Sequence, residues 1–323
     1  MANNSSLVDG GYLLYPINDR VIIVLVLVMF FLVINFVLLI TFFKNECFVT
    51  STHYVLFAVT LLSDSLILFL TNILLFLTYF HVNVQVWLCI IVSAVILLYF
   101  TVTPVTLTAM TLECYVAICM PLRHGELCST HNTVHSILII HGISSITCIV
   151  ILTMFFASAS PGLYVEYKIC SVEVFILYRW QDHIRLSILM LHFLLMFIII
   201  VFCYVKIMKA AKAASGENKK LKMKGLRTVV LHGFQLLLCL ISLGCPIIES
   251  VVLQISFKLF VDVRYYNYIL FSLAPRCLSP LIYGLRDENF FHALKTYNSF
   301  VLDDVKFLAY ICYKVFTHSA TQL

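Results

Sequence analysis

Charge is scarce in this sequence: only 11% of its 323 residues are Asp, Glu, Lys or Arg, where a soluble domain carries about a quarter. That scarcity excludes an ordinary water-soluble fold and makes lipid the expected solvent. Catalytic signatures are missing as well. The chain has no G-x-S-x-G, no H-E-x-x-H and no phosphate-binding loop, so no enzymatic activity is expected. Its twelve cysteines lack the close paired spacings of a zinc or redox centre and read as small apolar residues within helices, so neither metal nor cofactor is expected. Met1 to Pro16 contains no Lys or Arg, which argues against a cleavable signal peptide and gives the targeting role to the first membrane helix. No internal repeat is visible, so an inverted-repeat transporter or a channel is the weaker reading.

What the chain has in abundance is apolar side chains, at 62%. They gather into seven runs: Val21 to Phe43, Val55 to Phe80, Leu88 to Cys119, Ser136 to Ser158, Ile184 to Val205, Thr228 to Leu253 and Tyr265 to Leu285. A crossing takes roughly 20 residues as a helix but only about 9–11 as a barrel strand. Runs of this length without period-two alternation are therefore helices, which satisfy their own backbone in lipid. The expected fold is an all-α bundle of seven transmembrane helices over residues 21–285, preceded by an outer N-terminus at 1–20 and followed by a cytoplasmic tail at 286–323.

Lys and Arg set the orientation. With the N-terminus outside, the inner side holds Lys44, Arg123, the cluster from Lys206 to Arg227, and Arg286, Lys295, Lys306 and Lys314. The outer side keeps Arg20, Lys168, Arg179, Arg185, Lys258 and Arg264. The net charge of +5 thus reflects topology, and no nucleic-acid partner is expected. Asn3 and Asn4 each satisfy the N-x-[ST] glycosylation pattern on the outer side. From Arg286 to Lys295 the chain is acidic at its start and apolar at helical spacing, which predicts a short amphipathic helix on the inner leaflet. Cys312, in the apolar stretch Phe307 to Phe316, is either an acylation site or a plain thiol.

Three dispersed segments carry a resemblance. Met110-Thr111-Leu112-Glu113-Cys114-Tyr115-Val116-Ala117-Ile118-Cys119-Met120-Pro121-Leu122-Arg123-His124 resembles the odorant-receptor signature M-A-Y-D-R-Y-V-A-I-C-x-P-L-R-Y. Lys224-Gly225-Leu226-Arg227-Thr228 through His232 resembles K-A-L-S-T-C-x-x-H. Ser279-Pro280-Leu281-Ile282-Tyr283-Gly284-Leu285-Arg286 resembles N-P-L-I-Y-G-L-R. Cys203-Tyr204 looks like the Ser-Tyr pair closing the fifth helix, and Asn35 and Asp64 stand where the family carries polar residues. The order and spacing fit an olfactory receptor of the fish type within the rhodopsin-like, G-protein-coupled class. The resemblance implies a small-molecule odorant as ligand, a stimulatory heterotrimeric G protein as partner and a sensory neuron's plasma membrane as location.

The resemblance also implies residue roles. Cys89 and Cys170 resemble the receptor disulfide that ties the second outer loop over the pocket, the alternative being two unlinked thiols. Asp64 is an acid inside an apolar run, so it should have a partner; Arg276 is the candidate, a tethered guanidinium where related receptors bind sodium, unless water solvates each separately. Glu113-Cys114-Tyr115 departs from Asp-Arg-Tyr by losing the central arginine, and Ser279 replaces an asparagine before Pro280, so weak signalling is a third possibility. Glu113 is expected to pair with Arg123 or the basic third loop. Tyr115, Tyr204 and Tyr283 belong to the G-protein side, the two latter as switch residues or plain interfacial anchors. His232 is either a latch or a satisfied polar group. Matching offsets place the ligand pocket at Ile96, Leu97, Phe100 and Thr101 of helix three, Ile188 and His192 of helix five, Leu240, Leu243, Gly244 and Ile247 of helix six, and Ile269 and Ser272 of helix seven. Each could equally be helix packing. Ile96 stands where amine receptors keep an aspartate, which disfavours amines, and Glu249 reads as a surface acid beside water or Lys258. Pro104 and Pro246 interrupt helices three and six.

Overall fold

The computed structural model of the protein describes residues 19–214, 216–277 and 288–297. Among the described residues, six helices are long and apolar enough to cross a bilayer: Val21–Phe43, Thr52–Tyr79, Val86–Cys119, His131–Ser158, Arg179–Lys212 and Lys222–Ile255. A seventh segment starts as Phe257–Asn267, widens into a π-helical turn over Tyr268–Leu273 and continues as α-helix to Cys277. These segments are spans one to seven. Predicted features at Asn3, Asn4, Ser279, Pro280, Tyr283 and Cys312 lie outside the described residues.

Spans five and six run well past their predicted bounds, while span four ends at Ser158 as expected and only starts earlier, at Thr130. Hydropathy stops at the first charge, whereas backbone hydrogen bonding does not. Span five begins at Arg179 and continues to Lys212, so Lys206 and Lys209 extend it beyond its apolar stretch. At 1.5 Å per residue such a helix is about 50 Å long, against a hydrocarbon core of about 30 Å. Span seven also corrects the prediction: helix begins at Phe257, and Lys258, Asp262 and Arg264 are helical where a loop was expected. The extended backbone of Ser256 is all that separates it from span six.

Two faces result. One carries the Cys89–Cys170 disulfide, with a Cα separation of 5.4 Å, beside a two-stranded antiparallel ribbon of β1 (Asn83–Gln85) and β2 (Tyr167–Ile169). The opposite, basic face carries short loop helices at Glu46–Val49 and Pro121–Leu127. Neither helix was predicted. Asn45 caps the first by accepting from the Cys47 N–H at 3.2 Å, and Pro121 opens the second, where its missing N–H is harmless.

The core extends across the bundle through fully buried Val28, Phe57, Met110, Phe193, Ile207 and Val229. Outward positions such as Val26, Phe36, Leu62, Leu138 and Leu195 are apolar and exposed, as a lipid-facing surface requires. Gln181 braces spans four and five. Its Oε1 accepts from the Leu177 and Tyr178 N–H groups at 2.8 and 3.1 Å, and its Nε2 donates to the Met154 carbonyl and Ser158 Oγ at 3.3 and 3.0 Å. The predicted amphipathic segment is a helix over Glu288–Tyr297. Its Phe290, Ala293 and Leu294 are buried at helical spacing, and the Phe290 ring lies 5.3 Å from Phe48 and 5.5 Å from Phe57.

Candidate functional site

The polar centre of the bundle is built around Asp64, which is fully buried on span two. Its Oδ1 accepts from Arg276 Nη1 of span seven at 3.3 Å and from Thr103 Oγ1 of span three at 3.1 Å. The expected pair is therefore direct, and Thr103 is a third member that no motif announced. The arrangement fits the rule that an acid held in low dielectric needs both an opposite charge and further hydrogen bonds. Beside it, Asn35 Nδ2 of span one donates to Ser65 Oγ at 3.0 Å, and Gln235 Nε2 of span six donates to the Pro275 carbonyl at 2.7 Å. Spans one, two, three, six and seven are thus linked through polar contacts at mid-depth.

Toward the basic face, spans three and six close on each other. Thr111 Oγ1 and His232 Nδ1 are 3.2 Å apart and both residues are fully buried. One turn further, Cys114 Sγ donates to the Gly225 carbonyl at 3.8 Å. Gly225 lies so close to span three that a Cβ there would overlap the Ile118 side chain and press on Cys114 Sγ. The position where the resembled signature has an arginine is thus occupied by a small thiol in a tight interhelical contact. Tyr204 is partly buried against the main core, and the Tyr115 ring lies 6.1 Å from Phe202.

Glu113 differs from expectation. Its carboxylate is held by His53 Nδ1 at 2.9 Å and His124 Nε2 at 3.2 Å, rather than by Arg123 or the basic third loop. Both imidazoles come from the ends of neighbouring elements, span two and the Pro121–Leu127 helix, and no sequence spacing links them to Glu113. Burial, and then the charge of Glu113, push the nearby Cys128 thiol above its ordinary range.

At the disulfide face a cavity of about 440 Å³ opens between spans one, two and seven under the loop that carries Cys170. Val24, Leu74 and Leu75 give it an apolar floor, Thr71, Tyr265 and Tyr268 supply hydroxyls, and Glu173 and Arg264 stand at its wall. None of the predicted pocket residues lines it. Ile96 packs with Leu74 and the disulfide, Leu97 with Cys148, Ile151 and Phe155 of span four, and Thr101 donates to the Leu98 and Ser144 carbonyls at 2.8 and 3.4 Å. Phe100 lies 5.9 Å from the Phe193 ring, and the buried His192 Nε2 beside it has no hydrogen-bond partner. Leu243 is buried; Ile188, Leu240, Ile269 and Ser272 are half-buried; Gly244 borders open space; Ile247 is exposed. Glu249 accepts from Asn267 Nδ2 at 3.1 Å and lies 4.0 Å from Arg264 Nε, so its partners are on span seven and not Lys258.

Residues 20–283 match the seven-transmembrane receptor of the rhodopsin family. The chain is also 41% identical over 295 residues to "Odorant receptor 131-2" of Danio rerio, covering 91% of this chain and 90% of that protein. The chain belongs to the odorant-receptor branch of the rhodopsin family. As a rhodopsin-family member it is a multi-pass membrane receptor, and its Cys89–Cys170 bridge and central polar network are parts of that receptor bundle.

Proposed function

We propose that this receptor sits in the plasma membrane with the disulfide face outside, binds a small and mainly apolar odorant in the outer half of the bundle, and activates a stimulatory heterotrimeric G protein at the basic face. The cavity between spans one, two and seven is the observation that carries this reading. Its size falls in the range of small-molecule sites, about 300–1,000 Å³, and its composition of apolar walls with a few hydroxyls matches theirs. It is also coupled by position to the polar centre. Thr71 lies two turns along span two from Asp64, and Tyr268 lies about two turns along span seven from Arg276. A ligand pressing on Tyr268 and Thr71 bears on both helices that hold the ion pair.

A second reading keeps the ligand between spans three, five and six, at Phe100, His192, Leu243 and Gly244. It is favoured by the unpartnered His192 Nε2 and the open space at Gly244. Both readings are tested in cells expressing the receptor, by screening odorants with a cyclic-AMP readout normalised to surface expression. With an active odorant in hand, Leu75→Trp fills the first cavity and is expected to abolish the response at unchanged surface level. A response that survives Leu75→Trp but disappears in His192→Ala moves the site to the second location.

A further inference from the structure

We propose that Glu113, His124 and Cys128 form a binding site for a zinc-type divalent ion at the basic face, tying the end of span three to the adjoining loop helix. The three residues offer a carboxylate oxygen, an imidazole nitrogen and a sulfur that all lie within 4.8 Å of one another. Tetrahedral zinc takes bonds of about 2.0–2.3 Å to these donor types, which sets the donors roughly 3.3–3.8 Å apart. Glu113 Oε1 and His124 Nε2, at 3.2 Å, already stand just short of that spacing and need only a slight parting. What remains is closure by the Cys128 sulfur, an adjustment within reach of a side-chain rotation.

Local structure explains the convergence. His124 and Cys128 are four residues apart, and the Cys128 N–H bonds to the His124 carbonyl at 2.8 Å, so the intervening turn is intact and both side chains share one face. The Cys128 carbonyl accepts from Thr52 Oγ1 at 3.0 Å, and that hydroxyl lies 2.6 Å from Thr133 Oγ1. The backbone behind the thiol is thereby pinned to spans two and four. Glu113 is oriented from the other side: His53 Nδ1 holds its second oxygen at 2.9 Å. Outer-shell hydrogen bonds of this kind fix a ligating carboxylate and strengthen metal sites about 10–100-fold. All three donors are half-buried, which leaves room for an ion to enter and for a water as fourth ligand.

The donor set selects the ion. Imidazole and thiolate favour zinc-type metals, whereas magnesium and calcium take oxygen ligands. On binding, the Cys128 S–H proton is released to solvent and the sulfur–metal bond forms. The carboxylate and thiolate together balance the two charges of the ion, so a neutral cluster replaces a lone acid between two histidines. Because Glu113 precedes Cys114, the bound ion stiffens the chain next to the contact with Gly225.

The test uses the full-length receptor in detergent or nanodiscs. Zinc titration is expected to give one saturable site and a rise in thermal unfolding temperature. Cobalt(II) should give tetrahedral d–d bands together with a sulfur-to-metal charge-transfer band. Cys128→Ser, a near-isosteric change whose folding is checked by its metal-free unfolding temperature, should abolish the charge-transfer band. His124→Ala should abolish saturable binding, and His53→Ala should weaken it at least tenfold. The exposed His131 and His135, with rings 4.5 Å apart, are the competing site. Binding that survives Cys128→Ser and His124→Ala but is lost in His131→Ala/His135→Ala overturns the proposal, as does the absence of saturable binding in the unaltered receptor.

Discussion

With Asp64 and Arg276 3.3 Å apart inside the bundle, removing either one strands the other charge in low dielectric. Breaking a buried pair in this way costs about 3–5 kcal/mol. Asp64→Ala is therefore expected to lower the receptor's thermal stability and surface level sharply, while Asp64→Leu combined with Arg276→Met should recover much of both, since no charge is left alone. Equal losses in the single and double variants, measured by thermal unfolding in detergent, would show that the pair's attraction is not what holds spans two and seven. At Gly225 the limiting quantity is space. Gly225→Val is expected to force spans three and six apart and raise basal cyclic AMP several-fold, and Ile118→Ala should reverse the rise by making room. A basal signal that stays high in the double variant would place the effect elsewhere.

At the level of elements, the helix Glu288–Tyr297 is held by Phe290 among the rings of Phe48, Tyr54 and Phe57. Phe290→Ala should destabilise the receptor by about 3–5 kcal/mol, the usual range for deleting a buried phenyl group. Phe48→Ala should not add its full effect to it, because the two rings share one contact. A double variant whose loss of stability equals the sum of the singles would argue against that shared packing. This helix was legible in the sequence, since Phe290, Ala293 and Leu294 repeat at helical spacing. Spans one to six were legible for a similar reason: long apolar runs in lipid leave the backbone no alternative to helix. The loop helices at Glu46–Val49 and Pro121–Leu127 were not, being one or two turns whose stability comes from caps and neighbours rather than pattern. Nor was the start of span seven, where Lys258, Asp262 and Arg264 hide a helix from hydropathy. In the candidate site, Asp64 and Arg276 could be paired because buried charges are few enough to leave one choice. Glu113 could not be matched to His53 and His124, because an acid at the end of a span has many potential partners and tertiary packing selects among them. The His124 to Cys128 spacing is no metal signature by itself, because its third donor is on a different helix.

Across the whole molecule, the disulfide joins residues 81 apart in sequence and closes a loop that includes spans three and four. A bridge around so long a loop stabilises mainly by restricting the unfolded chain, typically by 2–4 kcal/mol. Cys89→Ser, Cys170→Ser and the double variant should therefore reduce surface delivery to the same degree, as measured by labelling of intact cells. A double variant delivered better than either single would point to damage by the unpaired thiol instead of loss of the bridge. The cavity at this face depends on the same tie, because Cys170 and the residues after it form its lid. Loss of the bridge is thus also expected to remove the odorant response of those receptors that reach the surface.

The contact between Cys114 and Gly225 bears on how this receptor could change over generations. The odorant-receptor signature that this segment resembles has an arginine where this chain has Cys114. A longer side chain at residue 114 is expected to displace the contact of Cys114 Sγ with the Gly225 carbonyl, at 3.8 Å, beside which the Ile118 side chain already fills the space next to Gly225. Growth at residue 114 is therefore expected to be tolerated best where residue 118 is smaller. Small residues at 114 and 225 thus make the two positions interdependent, so that substitutions at one are tolerated only in step with the other.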